Sequence, residues 1–178
     1  MNIFFRAVDS IQQAAELDWE GLYRELIPHI YNYFRYRVGD ASSAEDLTAI
    51  TFEKAWGKRH TYSDRRGAFS TWLFTIARNV ATDHFRKRRS ELPLETALGR
   101  SSAMALDDLI QRRLDFARLR GLLAGLPPRE QDILSLKYGA DLSHKQIAQV
   151  MGLSESNVGT IAHRAIQRLQ HEWGPAHE

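Results

Sequence analysis

The sequence predicts an all-α protein of two small helical domains joined by a flexible linker, and three observations carry that prediction. Apolar residues recur at helical three-four spacing along almost the whole chain. No run alternates with the period of a strand, and no Asn-Gly or Asp-Gly pair marks a hairpin. Residues 90–107 lack aromatic side chains and mix Ser, Gly, Pro and acids, which is typical of a linker. The predicted domains are therefore residues 1–89 and 108–178.

The composition excludes several kinds of protein. Hydrophobic residues make up 43% of the 178 residues and charged residues 26%, as in ordinary globular chains. The absence of cysteine excludes disulfides and cysteine-ligated zinc or iron. The first residues contain no uninterrupted hydrophobic run, so we expect no signal peptide, no membrane insertion and a cytoplasmic location.

Basic charge is confined to one stretch of the chain. The net charge of the whole chain is only +2. Residues 1–52 carry −4 and residues 90–178 carry −1, whereas residues 53–89 carry ten Lys or Arg against three Asp or Glu, a balance of +7. A positive field this localised favours contact with a polyanion at one place on the molecule.

Two helices are predicted in the part of the chain that precedes most of these basic residues. Apolar spacing indicates a helix over Asp18–Tyr36. Pro28 is expected to kink or break it, because proline lacks the N–H that the helix needs. A second helix is predicted over Ala44–Trp56, with Ser42 or Ser43 as its N-cap. A polar loop follows.

The segment Phe69–Arg89 predicts an amphipathic helix with two different faces. Its apolar stripe consists of residues 69, 72, 73, 76, 77, 80 and 84. At 100° per residue, four side chains lie on a flank away from that stripe: Phe74, Arg78, Ala81 and Phe85. Since phosphates attract cations and unstacked bases attract flat rings, this flank is expected to contact nucleic acid. An ordinary amphipathic helix with a solvated basic end fits the pattern equally well.

Helix-turn-helix signals are found in the second predicted domain. We call residues 1–89 the first block and residues 108–178 the second block. Ser143 and Gln146 form a predicted capping box, Gly152 permits a left-handed turn, and Ser154 caps the final helix. The second helix of such a unit enters the major groove of DNA. Its exposed face is expected to consist of Ser156, Asn157, Gly159, Thr160, His163, Arg164 and Gln167. A helical hairpin within an all-α core is the alternative interpretation.

Together the two blocks resemble a bacterial RNA polymerase sigma factor of the sigma-70 superfamily, in its small two-domain extracytoplasmic-function (ECF) group. The segments AEDLTAITFEKAW and FSTWLFTIARNVATDHFRKRR are similar to the family's polymerase-binding and promoter-melting segments. The segment LPPREQDILSLKYGADLSHKQIAQVMGLSESNVGTIAHRAIQRL resembles its domain for reading the −35 element. The resemblance implies a promoter-specificity subunit without catalytic residues, cofactor or metal.

The resemblance also implies which residues bind core RNA polymerase. The second predicted helix would grip the clamp helices of the largest polymerase subunit, and the second domain would meet the flap of the second-largest subunit. The implied clamp contacts are Asp46, Leu47, Thr51, Phe52, Lys54 and Trp56. Leu47, Phe52 and Trp56 can alternatively belong to the core, and at least one of them is expected to do so. The chain has Ala49-Ile50 where the family usually has Gln-Glu, which alters the detail of that contact.

Residues that open the −10 element are implied in the same way. They are Tyr62, Arg65, Arg66, Thr71, Thr75, Arg78, Asn79, Arg86, Lys87, Arg88 and Arg89. Tyr62 is the expected stacking partner for a flipped base, and the arginines and lysine are expected to contact phosphates. Trp72 lies on the apolar stripe and is predicted to belong to the core instead.

For the −35 element, the implied contacts are Gly159, Thr160, His163 and Arg164, of which Arg164 is the strongest candidate because Arg pairs bidentately with guanine. The family often has cations where this chain has Gly159 and Ile161, so we expect weak binding by the isolated domain. The implied partners are core polymerase, promoter DNA and an anti-sigma factor, which could hold the chain at the inner membrane.

Two other functions compete with this interpretation. A free-standing helix-turn-helix repressor or activator would share the DNA-reading unit, but a sensory domain has no need of the +7 stretch. An enzyme is disfavoured because no Gly-rich phosphate loop, nucleophile–base pair or metal cluster is recognisable. Asp83-His84 is not expected to bind a metal, since adjacent helical side chains point about 100° apart.

Overall fold

The computed structural model describes residues 18–91 and 107–174. These residues form seven α-helices and no strand, which confirms the all-α prediction. The helices are α1 (Trp19–Val38), α2 (Ala41–Gly57), α3 (Phe69–Glu91), α4 (Asp107–Gly125), α5 (Pro128–Leu134), α6 (His144–Met151) and α7 (Glu155–Trp173). Two short 3-10 turns, Arg59–Thr61 and Asp64–Arg66, connect α2 to α3, and a π-helical turn, Ser135–Gly139, follows α5. Most of the predicted linker lies outside the described residues.

Helix α1 is continuous through Pro28, so, of the predicted kink or break, the break does not occur. The Asp18 carboxylate caps its first turn by accepting a hydrogen bond from the Gly21 N–H at 2.9 Å. Pro28 removes only one hydrogen bond of the helix. Leu26 and Ile30 are buried on either side of Pro28, and their packing holds the helix together across the proline.

Helix α2 begins earlier than predicted, because its N-cap is Asp40 rather than Ser42 or Ser43. The Asp40 carboxylate accepts a hydrogen bond from the Ser43 N–H at 2.7 Å. A carboxylate is a better partner than a hydroxyl for the positive end of a helix. Burial acts to raise the pKa of Asp40, but the hydrogen bonds from Ser43 outweigh it and lower that pKa below its usual value.

Helices α6 and α7 confirm the predicted helix-turn-helix. Ser143 and Gln146 form the capping box at the start of α6, with both reciprocal hydrogen bonds present. Gly152 ends α6 in the left-handed conformation, at φ +67°, and Ser154 then caps α7. Val158 is fully buried, which fixes α7 against α6.

The two blocks pack against each other through one apolar cluster. Its fully buried members from both blocks include Ile30, Tyr33, Phe34, Leu73, Ile133, Leu136, Ile147 and Val158. The π-helical turn approaches the backbone of α1 closely, because a Cβ on Gly139 would lie 2.8 Å from the backbone oxygen of Asn32. Only glycine fits there, so the two predicted domains are docked tightly in this structure.

This docking overturns the prediction that one flank of α3 faces outward. Phe74 and Ala81 are each only 1% exposed. Phe74 packs edge-on against Tyr33 of α1, with ring centroids 6.2 Å apart. Arg78 is half-buried, and its Nε lies 3.3 Å from the Asp132 carboxylate of α5. Periodicity correctly separated two faces of α3, but the second face is covered by the second block of the chain.

Candidate nucleic-acid and partner interfaces

An aromatic surface is formed where α1 and α2 run side by side. It consists of Trp19, Tyr23, Phe52 and Trp56, and we call it the aromatic surface throughout. Trp19 meets Trp56 edge-on at 5.4 Å between ring centroids, and Tyr23 meets Phe52 at 4.5 Å. Trp56 is 53% exposed and Tyr23 45% exposed. Exposed aromatic rings of this size are the groups that contribute most energy to protein–protein interfaces.

Four of the six residues assigned to polymerase binding can reach a partner from α2. Asp46, Lys54 and Trp56 are exposed, and Phe52 is half-buried. The assignment of Leu47 and Thr51 to that contact needs correction, because both side chains are buried against the rest of the first block. The Thr51 hydroxyl donates to the backbone oxygen of Leu47 at 2.7 Å, so its polar atom is already satisfied within the helix.

Trp19 and Tyr23 are not among the residues predicted from the sequence for this surface. Both helices carry an aromatic pair four residues apart, Trp19 with Tyr23 on α1 and Phe52 with Trp56 on α2. Residues four apart lie on one face of a helix, so two such pairs on consecutive antiparallel helices can meet ring to ring. That matched spacing is the signal that would have found them.

A second aromatic group fills the base of the loop before α3. Tyr62, Phe69 and Trp72 pack together with ring centroids 5.2 to 5.5 Å apart. Trp72 is half-buried in this group, as predicted for a core residue. Tyr62 is only 8% exposed, and burial raises its pKa, with a further contribution from Asp64. The ring of Tyr62 is therefore not open to a base in this conformation.

Exposed cations border that loop and the end of α3. Arg65, Arg86 and Lys87 are exposed, and Arg88 is half-buried. Arg86 also pairs with Asp83 at 3.0 Å, an exposed contact that contributes little to stability. The side chains of Arg66 and Arg89 lie outside the described structure.

The polar residues assigned to the −10 contact are divided between two environments. Thr75 and Asn79 are exposed on α3. Thr71 is half-buried, and its hydroxyl donates to Oε1 of Gln149 on α6 at 3.3 Å. One predicted DNA contact is thus already engaged by the second block.

Arg78 is engaged by the second block as well. The Asp132 carboxylate of α5 accepts from Nε of Arg37 at 2.6 Å and from Nε of Arg78 at 3.3 Å. Arg37 also donates to the side-chain oxygen of Gln131, and its guanidinium lies over the ring of Phe85, 4.3 Å from the centroid. The side chains of Asp132 and Arg37 are 9% and 7% exposed, so this is a buried ionic contact between α1, α3 and α5.

The hydroxyl of Tyr33 lies in the same interface without a hydrogen-bond partner. Burial raises the pKa of Tyr33 far above its usual range, and the nearby negative charge of Asp132 acts in the same direction. The phenol therefore stays neutral, and its unpaired hydroxyl disfavours the docked arrangement.

The predicted DNA-reading face of α7 is open. Six of its seven residues are exposed, and Gly159 is half-buried: the exposed ones are Ser156, Asn157, Thr160, His163, Arg164 and Gln167. Thr160 donates its hydroxyl to the backbone oxygen of Ser156 at 3.0 Å. No residue of the first block covers this face through any of the described contacts.

Neither a metal centre nor a membrane span is found in the parts of the chain that the structure covers. Among residues 18–91 and 107–174, no three His, Cys, Asp or Glu side chains are grouped to hold a metal ion. None of the helices in those ranges is both long and apolar enough to cross a bilayer. Asp83 faces Lys54 at 3.7 Å and Arg86, which are cations rather than metal ligands.

Two family models match the chain in the order of its two blocks. Residues 22–91 match sigma-70 region 2, and residues 122–171 match sigma-70 region 4. The first match contains the aromatic surface apart from Trp19 and all of α3, and the second contains the helix-turn-helix.

Known sigma factors are similar over most of this chain. BldN of Streptomyces coelicolor, an ECF RNA polymerase sigma factor, is 34% identical over 161 residues that cover 88% of this chain but 61% of BldN. RpoE of Cereibacter sphaeroides, also an ECF sigma factor, is 28% identical, with 84% of this chain and 82% of that protein covered. The fold matches RpoE of Bartonella quintana, solved with the anti-sigma factor NepR, at a TM-score of 0.67 and 23% identity, covering 86% of this chain and 95% of that one. The chain therefore belongs to the sigma-70 family of RNA polymerase sigma factors, in its ECF group.

Proposed function

We propose that this protein binds core RNA polymerase, directs it to promoters through −35 and −10 elements, and helps to open the DNA. The observation that carries the proposal is the order of three surfaces along one chain: the aromatic surface, the basic end of α3, and the exposed face of α7. A subunit of this kind needs no active site. We therefore infer that the protein is not an enzyme and that it acts in the cytoplasm.

The aromatic surface, with Asp46 beside it, is the proposed contact for the clamp helices of the largest polymerase subunit. Trp19, Tyr23 and Trp56 together offer a large, partly exposed apolar area on two rigid helices. Rigid aromatic side chains lose little conformational entropy on binding, which makes them effective anchors. The second block would contact the flap of the second-largest subunit.

The loop before α3 and the basic end of α3 are the proposed −10 interface. Arg65, Arg86 and Lys87 are exposed for phosphate contacts, while Thr75 and Asn79 can hydrogen-bond to bases. Flipping a base out of the stack costs a few kcal/mol, which aromatic contacts must offset. For Tyr62 to provide that contact, its ring has to leave the cluster with Phe69 and Trp72.

The exposed face of α7 is the proposed −35 reader. Arg164 is placed to pair with a guanine in the major groove, which is worth about 1–3 kcal/mol against a wrong base. His163 and Gln167 are exposed on the same face, but Arg164 is the only cation among the seven proposed contact residues. Few phosphate contacts imply weak binding by the free chain, so polymerase has to supply the rest of the affinity.

We also propose that an anti-sigma factor regulates this chain. Bartonella RpoE, which has the same fold, was solved with the anti-sigma factor NepR. An anti-sigma factor anchored in the inner membrane would hold the chain there until it is released.

A second candidate function is a free-standing helix-turn-helix repressor or activator, which the open face of α7 in the unbound chain would suit. Such a regulator binds its operator duplex alone. A sigma factor needs polymerase to do so.

Reconstitution with bacterial core polymerase separates the two. With genomic DNA as template, we expect transcripts that begin at defined sites only when both the chain and core polymerase are present. The Asp46→Arg variant should elute separately from polymerase in gel filtration, while Arg164→Ala should co-elute with it. Specific duplex binding by the chain alone, without a polymerase complex, would establish the regulator instead.

A further inference from the structure

We propose that the docked arrangement is a self-inhibited state in which the Asp132 carboxylate takes the place of a DNA phosphate on Arg78. The proposal rests on the assignment of α3 to the −10 element. It adds a contact within the chain, without any partner, that withholds part of that interface until the two blocks separate.

The first step is the chemistry of Asp132. A carboxylate and a phosphate both present paired oxygens to a guanidinium, and both form charge-assisted hydrogen bonds with it. Asp132 makes such bonds to Arg37 at 2.6 Å and to Arg78 at 3.3 Å. While these bonds exist, the Nε–H of Arg78 is directed at Asp132. The carboxylate offsets part of the guanidinium's positive charge, so it competes with a DNA phosphate for Arg78.

The second step is that α6 touches α3 at another predicted DNA contact. Thr71 donates to Gln149 at 3.3 Å, two turns before Arg78 on the same side of α3. Thr71 and Arg78 lie seven residues apart, which places them on one face of the helix. The second block therefore contacts the proposed −10 surface at two points on one face of α3, while Thr75 between them stays exposed.

The third step is that the docking is close and specific. The π-helical turn approaches α1 so nearly that a Cβ at Gly139 would overlap the backbone oxygen of Asn32. Beside it, the ring nitrogen Nδ1 of His29 lies 3.2 Å from the backbone oxygen of Ala140. A backbone contact that only glycine allows, together with buried ionic and apolar contacts, indicates a specific interface between the two blocks.

The fourth step is that two features of the docked form favour separation of the blocks. Tyr33 has a buried hydroxyl without a partner, and water would satisfy it once the blocks separate. The aromatic surface stays partly exposed in the docked form, so polymerase can bind it before the blocks part. Binding energy from that contact can then favour the open state.

Two substitutions open the docked form by unrelated routes. Asp132→Asn leaves Arg37 buried without a counter-charge, which strongly disfavours docking until the guanidinium reaches water. Gly139→Ala places a methyl group against the carbonyl of Asn32 and changes no charge. Asp141→Asn is the matched control, because it makes the same charge change at an exposed position whose φ of +57° asparagine tolerates.

The chain has no cysteine, so Cys introduced at the exposed positions Glu53 and Gln170 would carry two labels for a distance measurement. In the free chain, we expect Asp132→Asn and Gly139→Ala to lengthen the inter-label distance. We also expect both to bind a single-stranded oligonucleotide about three- to ten-fold more tightly, as release of one or two cations implies. Asp141→Asn should match the unsubstituted labelled chain in both measurements. Circular dichroism checks that each variant keeps its helices.

Unchanged distances in both opening variants would overturn the proposal, as would an equal gain in DNA affinity from Asp141→Asn. If one opening variant loses its helices, the inter-label distance and DNA affinity of the other variant decide whether the proposal holds. Failure of the proposed function is a different result, because it would appear as the absence of a polymerase complex while the inter-label distances still respond.

Discussion

Helices α3 and α7 are both proposed to read DNA, yet the structure treats them in opposite ways. On α7, Arg164 and its neighbours are open to solvent. On α3, Thr71 and Arg78 are held by α6 and α5, and Phe74 is buried beneath them. In this arrangement the −35 reader is accessible while part of the −10 reader is withheld, so recognition of the two elements need not begin together.

The difference shows how one polar residue on a helix can serve two purposes. Arg78 stabilises the docked chain through Asp132 and is a proposed DNA contact when the blocks separate. Arg164 has no such double role among the described contacts. Substitutions on α3 should therefore change stability and function together, whereas those on the open face of α7 should change function alone.

The largest expected effect is on stability, from Phe74→Ala. Removing this buried ring from the joint core should lower the free energy of unfolding by about 3–5 kcal/mol. Thr160→Ala, on the exposed face of α7, should stay within about 0.5 kcal/mol of wild type. Urea unfolding followed by circular dichroism measures both. Equal losses in the two variants would contradict the contrast between the helices.

Next in size is Arg164→Ala. Loss of a bidentate base contact should weaken use of −35-dependent promoters by about 1–3 kcal/mol, or about five- to 150-fold. The unfolding free energy should not change, because the side chain is exposed. Run-off transcription at limiting protein measures the effect, and Arg129→Ala, which removes an exposed cation elsewhere in the same block, is the control. A comparable defect in Arg129→Ala would show that net charge matters rather than the α7 face.

A smaller effect on DNA binding should distinguish exposed Arg86 from Arg78, which is paired with Asp132. In the free chain, Arg86→Ala should weaken single-stranded DNA binding about two- to three-fold, and Arg78→Ala should weaken it less because Asp132 occupies that guanidinium. In an Asp132→Asn background, the cost of Arg78→Ala should rise to match that of Arg86→Ala. Fluorescence anisotropy with one labelled oligonucleotide tests all four combinations. If Arg78→Ala costs the same in both backgrounds, Asp132 does not compete with DNA.

The smallest effect is a pH dependence near the end of α3. Burial lowers the pKa of His84, nearby Arg88 lowers it further, and its Nε2 is buried without a partner. The unfolded chain therefore takes up a proton more readily, and stability should fall as the pH drops through about 6.5 toward 5. His84→Gln should reduce this slope in urea unfolding, while His163→Gln on α7 should keep it. An unaltered slope in His84→Gln would assign the pH dependence to other groups.

The sequence predicted the features that depend on neighbouring residues. Ser143 with Gln146, and Gly152 after α6, are signals contained within a few residues, and the helix-turn-helix follows them closely. The docking was not predictable in this way. Asp132 meets partners 54 and 95 residues away in the chain, and nothing in the local pattern of α3 distinguishes a flank facing solvent from one facing another helix.

The proposed interfaces also combine features that local sequence predicts with features that only the packed structure determines. Periodicity placed Trp72 in the core correctly, but it could not separate exposed Trp56 from buried Leu47 on α2. That distinction depends on where α1 and α3 cross α2, which is a property of the packed structure. The burial of Tyr62 was unpredictable for the same reason, since it comes from Phe69 and Trp72 packing around the ring.

The contact between Gly139 and Asn32 joins two parts of the same polypeptide, and this has a consequence for dosage. A bimolecular inhibitor dissociates on dilution, but the equilibrium between docked and open forms of one chain contains no concentration term. Making more of the protein raises the number of open molecules in proportion, without changing the fraction that is open. A cell could therefore hold a constant share of this protein in reserve whatever its abundance, and only a partner that prefers one form would alter that share.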